Sequence, residues 1–257
     1  MPNLQQIFEL KDQYSQLKKS EKQVKNYLLK KSLDHAGITK AFSFSQKSLN
    51  ESFDLPADKP SVIGYFENVE QEDIVLLFID IANFSKITER KSNHFITSYL
   101  TNYYNKVFPV IYKHGGQIEK LMGDGIICVF GKPFLDVAWV DEFNRAEECA
   151  REIIELLKGT NKEVKVALHS GPINYFKTPT TYYEEYTMIG KPITELFRLE
   201  SVAKKNAINF YKESIYDGMN PKKELGMSAF KKDEFKLYGF DVELQGVEYN
   251  RVRYLQI

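Results

Sequence analysis

The sequence predicts an α+β fold, in which one sheet packs against the helices that connect its strands. Two observations support this prediction. The continuous apolar run Ile74–Ile81 is typical of a strand that is buried on both faces. The elements after it follow the order helix, hairpin, helix and strand. Together they form the βαββαβ pattern of ferredoxin-like sheets, and we expect the helices on one face of the sheet.

The elements after the first strand are assigned from apolar periodicity and from glycine stops. A helix is expected from Thr88 to His114, because Gly115 and Gly116 end the periodic pattern. Two short strands flank residues 122–125, where glycines permit a tight hairpin turn. The remaining predicted elements are a helix from Asp136 or Asp141 to Leu157, a strand Val164–His169, a helix Thr194–Ala203 and further strands near the end.

The first 72 residues are predicted to form an N-terminal part, ahead of one domain at residues 73–257. Residues 1–31 repeat apolar side chains every three or four positions, which is typical of an amphipathic helix. Residues 32–70 are typical of a connector. The helix could join two chains, offer a basic face to an anionic partner, or simply pack on its own domain.

Composition argues against several functional classes. The 35 basic and 35 acidic residues cancel, which disfavours a broadly basic nucleic-acid binder. Only Cys128 and Cys149 are present, so neither a disulfide framework nor a cysteine zinc site is expected. The longest apolar runs are strand-length and the first ten residues lack a signal pattern. We therefore expect a cytoplasmic protein with no membrane span and no nucleic-acid partner.

Two aspartates occupy positions where a sheet presents side chains to a ligand. Asp80 lies near the end of the first strand, and Asp124 lies at the tip of the predicted hairpin. In the βαββαβ order, the first strand is a central neighbour of that hairpin, so both carboxylates can converge on one edge. Carboxylate oxygens completed by water and phosphate suit Mg²⁺ or Mn²⁺. The sequence therefore predicts a divalent metal site.

Six ordered segments resemble the catalytic domain of class III nucleotidyl cyclases, the adenylyl and guanylyl cyclase family. They are FIDIANFS at 78–85, HGGQIEKLMGDG at 114–125, CVFG at 128–131, VALHSGP at 166–172, YTMIG at 186–190 and FRLES at 197–201. The resemblance covers roughly residues 73–257. It implies cyclisation of a nucleoside triphosphate to a 3′,5′-cyclic nucleotide, with release of pyrophosphate.

The resemblance also implies which residues perform this reaction. Asp80, Asp124 and the backbone carbonyl of Ile81 match the positions that hold two divalent ions, Mg²⁺ or Mn²⁺. Arg198 matches the arginine that stabilises the transition state, and Phe84 falls within the segment that lines the substrate site. The family completes each site at a head-to-tail homodimer. We expect Lys120 on the metal side of that interface, with Thr187, Thr194 and Arg198 contributed by the other chain.

Selection of the base rests on Lys120 and Thr187. Lysine at the first position matches adenine selectors, whereas guanine selectors have a carboxylate there. Thr187 can accept a hydrogen bond from the exocyclic amine of adenine.

Three positions depart from the family pattern. Thr194 replaces the family's ribose-binding Asn, and Lys191 replaces a residue that is often Asp. The segment around Gln245 lacks the family's lysines, so Arg251 is the nearest cation that could bind the triphosphate. Three functions therefore stay open: an adenylyl cyclase, a pyrimidine cyclase that signals in antiphage defence, or a catalytically silent nucleotide-binding regulatory domain.

Overall fold

The computed structural model describes residues 59–178, 185–222 and 237–257. The predicted N-terminal helix at residues 1–31 and most of the predicted connector lie outside these ranges. The described helices are α1 Lys59–Glu67, α2 Phe84–Thr88, α3 Asn93–Lys113, α4 Trp139–Leu157, α5 Lys191–Val202 and α6 Ile215–Lys222. The strands are β1 Gln71–Ile81, β2 Gln117–Met122, β3 Gly125–Phe130, β4 Val164–Lys177, β5 Tyr186–Ile189, β6 Ala207–Tyr211, β7 Leu237–Asp241 and β8 Arg251–Gln256.

Within the described ranges, the strands form one sheet in the order β2-β3-β1-β4-β6-β8-β7, and β5 pairs with β4. Strand β1 lies between β3 and β4 and is antiparallel to both. The order β2-β3-β1-β4 is the ferredoxin-like arrangement, so the predicted fold class is confirmed. It follows that the β2–β3 hairpin lies beside the end of β1.

Helices cover both faces of this sheet, and the expectation that all of them pack on one face is wrong. Phe78 shares a face with Asp80, because side chains two residues apart in a strand point the same way. On that face, Phe78 meets Phe197 of α5 edge-on at 5.4 Å between ring centroids. On the other face, Tyr216 of α6 stacks on Phe143 of α4 and packs against Phe210 of β6. Coverage of both faces explains why Ile74–Ile79 are buried throughout.

The helix predicted at Thr88–His114 starts later in the structure, where it is α3. Ser92 caps α3, since its hydroxyl accepts a hydrogen bond from the backbone N–H of Phe95 at 3.2 Å. The short helix α2 precedes it, entered through Asn83 in a left-handed conformation with φ of 63°. The short polar segment between α2 and α3 interrupts the apolar periodicity only slightly, so the boundary between the two helices could not be recognised from the sequence. Among the residues described, no helix combines the length and apolarity needed to cross a membrane.

Candidate active site

The structure brings Asp80 and Asp124 together, as the strand order predicted. Ile79 of β1 pairs with Ile126 of β3, so the end of β1 lies beside the hairpin tip that carries Asp124. The two carboxyl groups lie within hydrogen-bonding reach of each other. The side chain of Asp80 is 20% exposed, which leaves one edge of the pair open to solvent. The pair therefore lies at the surface end of the central strand.

The hairpin tip is fixed by its two glycines and by a tyrosine. Gly123 adopts a φ of 65°, which favours glycine, and a Cβ at Gly125 would lie 2.8 Å from the ring of Phe78. The hydroxyl of Tyr104 on α3 donates a hydrogen bond to the carbonyl oxygen of Gly123. These contacts hold Asp124 in place against the end of β1.

The electrostatics of the pair favour a cation. Burial, followed by the negative charge of Asp80, raises the pKa of Asp124 to about 7. Two carboxylates this close must share a proton unless positive charge lies between them. Their oxygens are ligands of the kind that Mg²⁺ and Mn²⁺ prefer, so the residues present fit the predicted ions. Ile81 ends β1, directly after Asp80, and its side chain is buried on the other face.

Sequence reasoning missed two charged residues at this site. Lys165 lies opposite Asp80 in the β1–β4 register, and its Nζ is 3.1 Å from Oδ2 of Asp80. The same ammonium donates to Oε1 of Glu200 on α5. Burial disfavours the charged ammonium, but the hydrogen bonds and charges of Glu200 and Asp80 outweigh it and raise the pKa of Lys165. A lone lysine among Val164, Val166 and Ala167 is the signal that could have identified it.

Of the two residues expected to select the base, Thr187 contacts the neighbour of Lys120 within one chain. Lys120 is exposed on β2, just after a bulge that follows Ile118. Its neighbour Glu119 is buried, and the side chain of Thr187 on β5 hydrogen-bonds to it. Burial raises the pKa of Glu119, although Lys120 and Thr187 both act to lower it. The expectation that Thr187 completes the site of the other chain stays a prediction.

Thr194 and Arg198 do not converge on the aspartates of their own chain. Both are exposed, and they lie four residues apart on one face of α5. Glu200, which contacts the Asp80 site, is two residues beyond Arg198 and therefore about 200° further around the helix axis. Among the described residues, no ion pair involves the guanidinium of Arg198. This arginine consequently points away from Asp80.

Arg251 lies far from the carboxyl pair along the sheet, whereas Phe84 lies in α2, just after the end of β1. Arg251 is at the start of β8, where Val252 pairs with Tyr211 at the far end of β6 from Asp80. Its guanidinium is 3.3 Å from Asp241 in an exposed ion pair. Phe84 is half-buried in α2, with its ring 6.1 Å from that of Tyr99. Among the described residues, no ion pair links Arg251 to Asp80 or Asp124.

The ferredoxin-like sheet, with its carboxyl pair at the end of the central strand, defines a class III nucleotidyl cyclase domain. A family model described as the adenylate and guanylate cyclase catalytic domain matches residues 66–245. The chain belongs to this family.

Its relatives among curated proteins are distant. An uncharacterised protein of Mycobacterium tuberculosis is 24% identical over 143 residues, which are 53% of this chain and 25% of that protein. Adenylate cyclase 1 of Rhizobium meliloti is 21% identical over 141 residues, 52% of this chain and 21% of that protein. The chain thus matches only about a quarter of the length of these relatives.

Solved structures share the fold. The catalytic core of a rhodopsin-guanylyl cyclase with converted specificity, in complex with ATPαS, aligns with a TM-score of 0.59 at 22% identity. The alignment covers 73% of this chain and 97% of that one. The guanylate cyclase domain of RhGC from Catenaria anguillulae, in complex with GTP, gives a TM-score of 0.58 at 22% identity, covering 73% and 98%. At these identities the likeness establishes the fold.

Proposed function

We propose that this chain is a nucleotidyl cyclase that converts ATP into 3′,5′-cyclic AMP and pyrophosphate. The observation that carries the proposal is the pair Asp80–Asp124, in which the pKa of Asp124 is raised to about 7. Lys165 offsets only part of the repulsion between these carboxylates, because the pKa of Asp124 stays raised, so the pair favours a further cation. Membership of the cyclase family supports the same reaction.

The carboxylates of Asp80 and Asp124, with the backbone carbonyl of Ile81, would hold two ions, Mg²⁺ or Mn²⁺. Bound ions would supply the positive charge that acidifies the ribose 3′-hydroxyl and binds the triphosphate. In the reaction, the 3′ oxygen forms a bond to the α-phosphorus, its proton passes to solvent, and the bond to pyrophosphate breaks. Arg198 would stabilise the negative charge that develops on the phosphoryl oxygens.

Adenine selection would rest on Lys120 and Thr187. The ammonium of Lys120 can donate a hydrogen bond to a ring nitrogen, and the hydroxyl oxygen of Thr187 can accept one from an exocyclic amine. Adenine presents that combination, whereas guanine presents the reverse. Thr187 contacts Glu119, the neighbour of Lys120, within one chain. This contact supports the assignment, because Lys120 and Thr187 can then approach the same base.

A homodimer would complete the site. Because Arg198 and Thr194 face away from Asp80 of their own chain, they can reach the substrate only at the aspartates of a second copy. Thr194 would then contact the ribose through its hydroxyl. Arg251 would also act at the aspartates of the second copy, where it would bind the triphosphate after its guanidinium separates from Asp241.

A pyrimidine cyclase that signals in antiphage defence is the second candidate. Cytosine carries the same acceptor nitrogen and exocyclic amine as adenine, so Lys120 and Thr187 would suit it equally. Uracil presents the reverse pattern and fits less well. A catalytically silent nucleotide-binding domain is the third reading, which the intact Asp80, Asp124 and Arg198 disfavour. A cytoplasmic location stays a prediction.

The test is to incubate the purified chain with Mn²⁺ and each of ATP, CTP, GTP and UTP, and to quantify cyclic products by mass spectrometry. Cyclic AMP is expected as the main product, and Asp124→Asn should abolish it. Cyclic CMP as the main product would support the second candidate. No product from any nucleotide would refute the cyclase and favour the silent domain.

The shared site has its own test in mixed subunits. Asp80→Ala and Arg198→Ala should each be inactive alone, because each variant lacks one half of every site. Mixing the two should restore activity, since one of the two sites in a heterodimer keeps both residues. Activity that does not return on mixing, although the variants exchange subunits, would contradict a site built from two chains.

A further inference from the structure

Lys165 lies between two carboxylates rather than in a simple ion pair. Its Nζ is 3.1 Å from Oδ2 of Asp80 and is hydrogen-bonded to Oε1 of Glu200. The side chains of Lys165, Asp80 and Glu200 are 23%, 20% and 16% exposed. The ammonium is therefore shielded from water, and its two carboxylate partners provide much of its stabilisation.

The position of this cation affects any ion that Asp80 binds. Asp80 is a neighbour of both Lys165 and Asp124. A divalent ion at the two aspartates would approach a carboxylate that already carries a positive neighbour, and repulsion between the cations weakens binding. Glu200 offers the ammonium a second partner on α5, and its carboxyl group also lies close to that of Asp80. When a metal ion binds Asp80, the ammonium of Lys165 can therefore stay paired with Glu200.

We propose that Lys165 and Glu200 set the metal affinity of the aspartate pair: Lys165 neutralises Asp80 in the metal-free chain, and Glu200 retains the ammonium when a divalent cation binds. Both are positioning residues, since they act through Asp80. The inference rests on the proposed function only in assigning the cation to Asp80 and Asp124.

This proposal and a purely structural ion pair predict different signs for the effects of substitutions on metal binding. Removal of the Lys165 charge takes away a competing cation, so the aspartates should bind a metal ion more tightly. Neutralisation of Glu200 leaves Lys165 with Asp80 alone, so metal binding should weaken. A structural pair predicts that both substitutions disturb the site in the same direction.

A nearby ion pair provides a matched control. Lys205 contacts Glu163 at 2.5 Å, and the backbone of Lys205 forms an isolated bridge with that of Lys165. Its side chain is 49% exposed, and no ion pair among the described residues links it to Asp80. Lys205→Met therefore makes the same change in net charge as Lys165→Met, without touching the aspartate pair.

The experiment measures Mn²⁺ binding to the full chain without nucleotide, from the electron paramagnetic resonance signal of free Mn²⁺. Lys165→Met is expected to lower the Kd about tenfold, and Glu200→Gln to raise it about tenfold. Lys205→Met should change it less than about twofold. Lys165→Arg, which keeps the charge, should stay nearer the wild-type value than Lys165→Met. Circular dichroism in chelator establishes that each variant is folded.

The outcomes separate this proposal from the proposed function. If the wild type binds Mn²⁺ but Lys165→Met and Glu200→Gln shift the Kd in the same direction, or no more than Lys205→Met does, the role of Lys165 is refuted and the metal site stands. If neither the wild type nor any variant binds Mn²⁺, both proposals fail. Should Lys165→Met not fold, Lys165→Gln must show the same tightening, and weaker binding by it would overturn the proposal.

Discussion

Two ion pairs join β4 to α5, one toward each end of the helix. Lys165 pairs with Glu200 near the aspartates, and His169 pairs with Glu195 one helical turn and a half earlier, at 3.0 Å. The side chains of Lys165 and His169 lie on the same face of β4. The pairs differ in their third partner: Lys165 also reaches Asp80, whereas His169 reaches no second carboxylate among the described residues.

The His169 pair is enclosed by aromatic rings. His169 is 2% exposed and packs edge-on against Tyr211 and Tyr249. The hydroxyl of Tyr211 donates a hydrogen bond of 2.8 Å to the backbone carbonyl of Glu195. The same strand–helix connection therefore serves as packing at one end and adjoins the candidate chemistry at the other. The contact of Lys165 with Asp80, which His169 lacks among the described residues, distinguishes the two ends.

The largest difference between the two ends should appear in activity. Asp80→Asn is expected to lower cyclase activity by about a thousandfold or more, because it removes charge from the proposed metal site. His169→Gln should keep activity within about threefold, since His169 lies in the enclosed pair. Initial rates of cyclic nucleotide formation measure both. Similar losses in the two variants would contradict the contrast.

Stability should show the reverse order. Glu195→Ala is expected to lower the free energy of unfolding by about 3 kcal/mol, because it leaves buried His169 without its acceptor. Glu200→Ala should cost about 1 kcal/mol, since Lys165 keeps Asp80. Urea denaturation at one fixed protein concentration compares them. A larger loss in Glu200→Ala would show that the Lys165 pair is the structural one.

Another buried glutamate, Glu142, sharpens the comparison because no ion pair with it is found among the described residues. Its Oε2 has no hydrogen-bond partner among the described residues. Burial, followed by the charge of Glu72, raises the pKa of Glu142 to about 8. For Glu195, burial acts in the same sense, but His169 and then Lys191 outweigh it and lower the pKa.

These opposite shifts predict opposite pH effects. A raised carboxyl pKa gives stability that is fully present below the unfolded value of about 4.5 and is lost as the pH rises through about 8. Glu142→Gln should therefore gain about 2 kcal/mol over the wild type at pH 9 and little at pH 4. Glu195→Gln should lose most above pH 4.5, where the lowered pKa contributes stability. Unfolding free energies at pH 4, 7 and 9 test both signs, and a pH-independent gain in Glu142→Gln would contradict the assignment.

The smallest expected effect concerns the enclosure of His169. Tyr211→Phe removes one buried hydrogen bond to Glu195 and should cost about 1 kcal/mol of stability with activity unchanged. Tyr238→Phe, at an exposed tyrosine of β7, is the control and should change neither quantity. A marked loss of activity in Tyr211→Phe would indicate that the enclosed pair also influences the reaction.

Topology allowed the aspartate pair to be predicted, because the strand order alone places a hairpin tip beside the end of β1. The contact of Lys165 with Glu200 could not be predicted in the same way. It depends on the rotation of α5 about its axis, which side-chain packing such as that of Phe197 on Phe78 determines. Periodicity reports which residues of a helix face inward but not which strand residue each one meets.

The length of β4 was also underestimated. Ser170-Gly171-Pro172 resembles a turn, so the strand was expected to end at His169. In the structure β4 continues to Lys177, and Gly171 pairs with Ile74 within it. A Cβ at Gly171 would lie 2.8 Å from Pro192, so the glycine permits close approach of α5 rather than a turn. The extra residues of β4 pair with β5 and so position Thr187.

Arg198 and Glu200 lie two residues apart on opposite sides of α5, and this spacing has a mechanical consequence. A helix turns as a rigid body, so a rotation that swings Arg198 toward a neighbouring chain also carries Glu200 relative to Lys165 in its own chain. In the proposed homodimer, any rotation of α5 would therefore change the contribution of Arg198 to one site together with the Lys165–Glu200 contact beside the other.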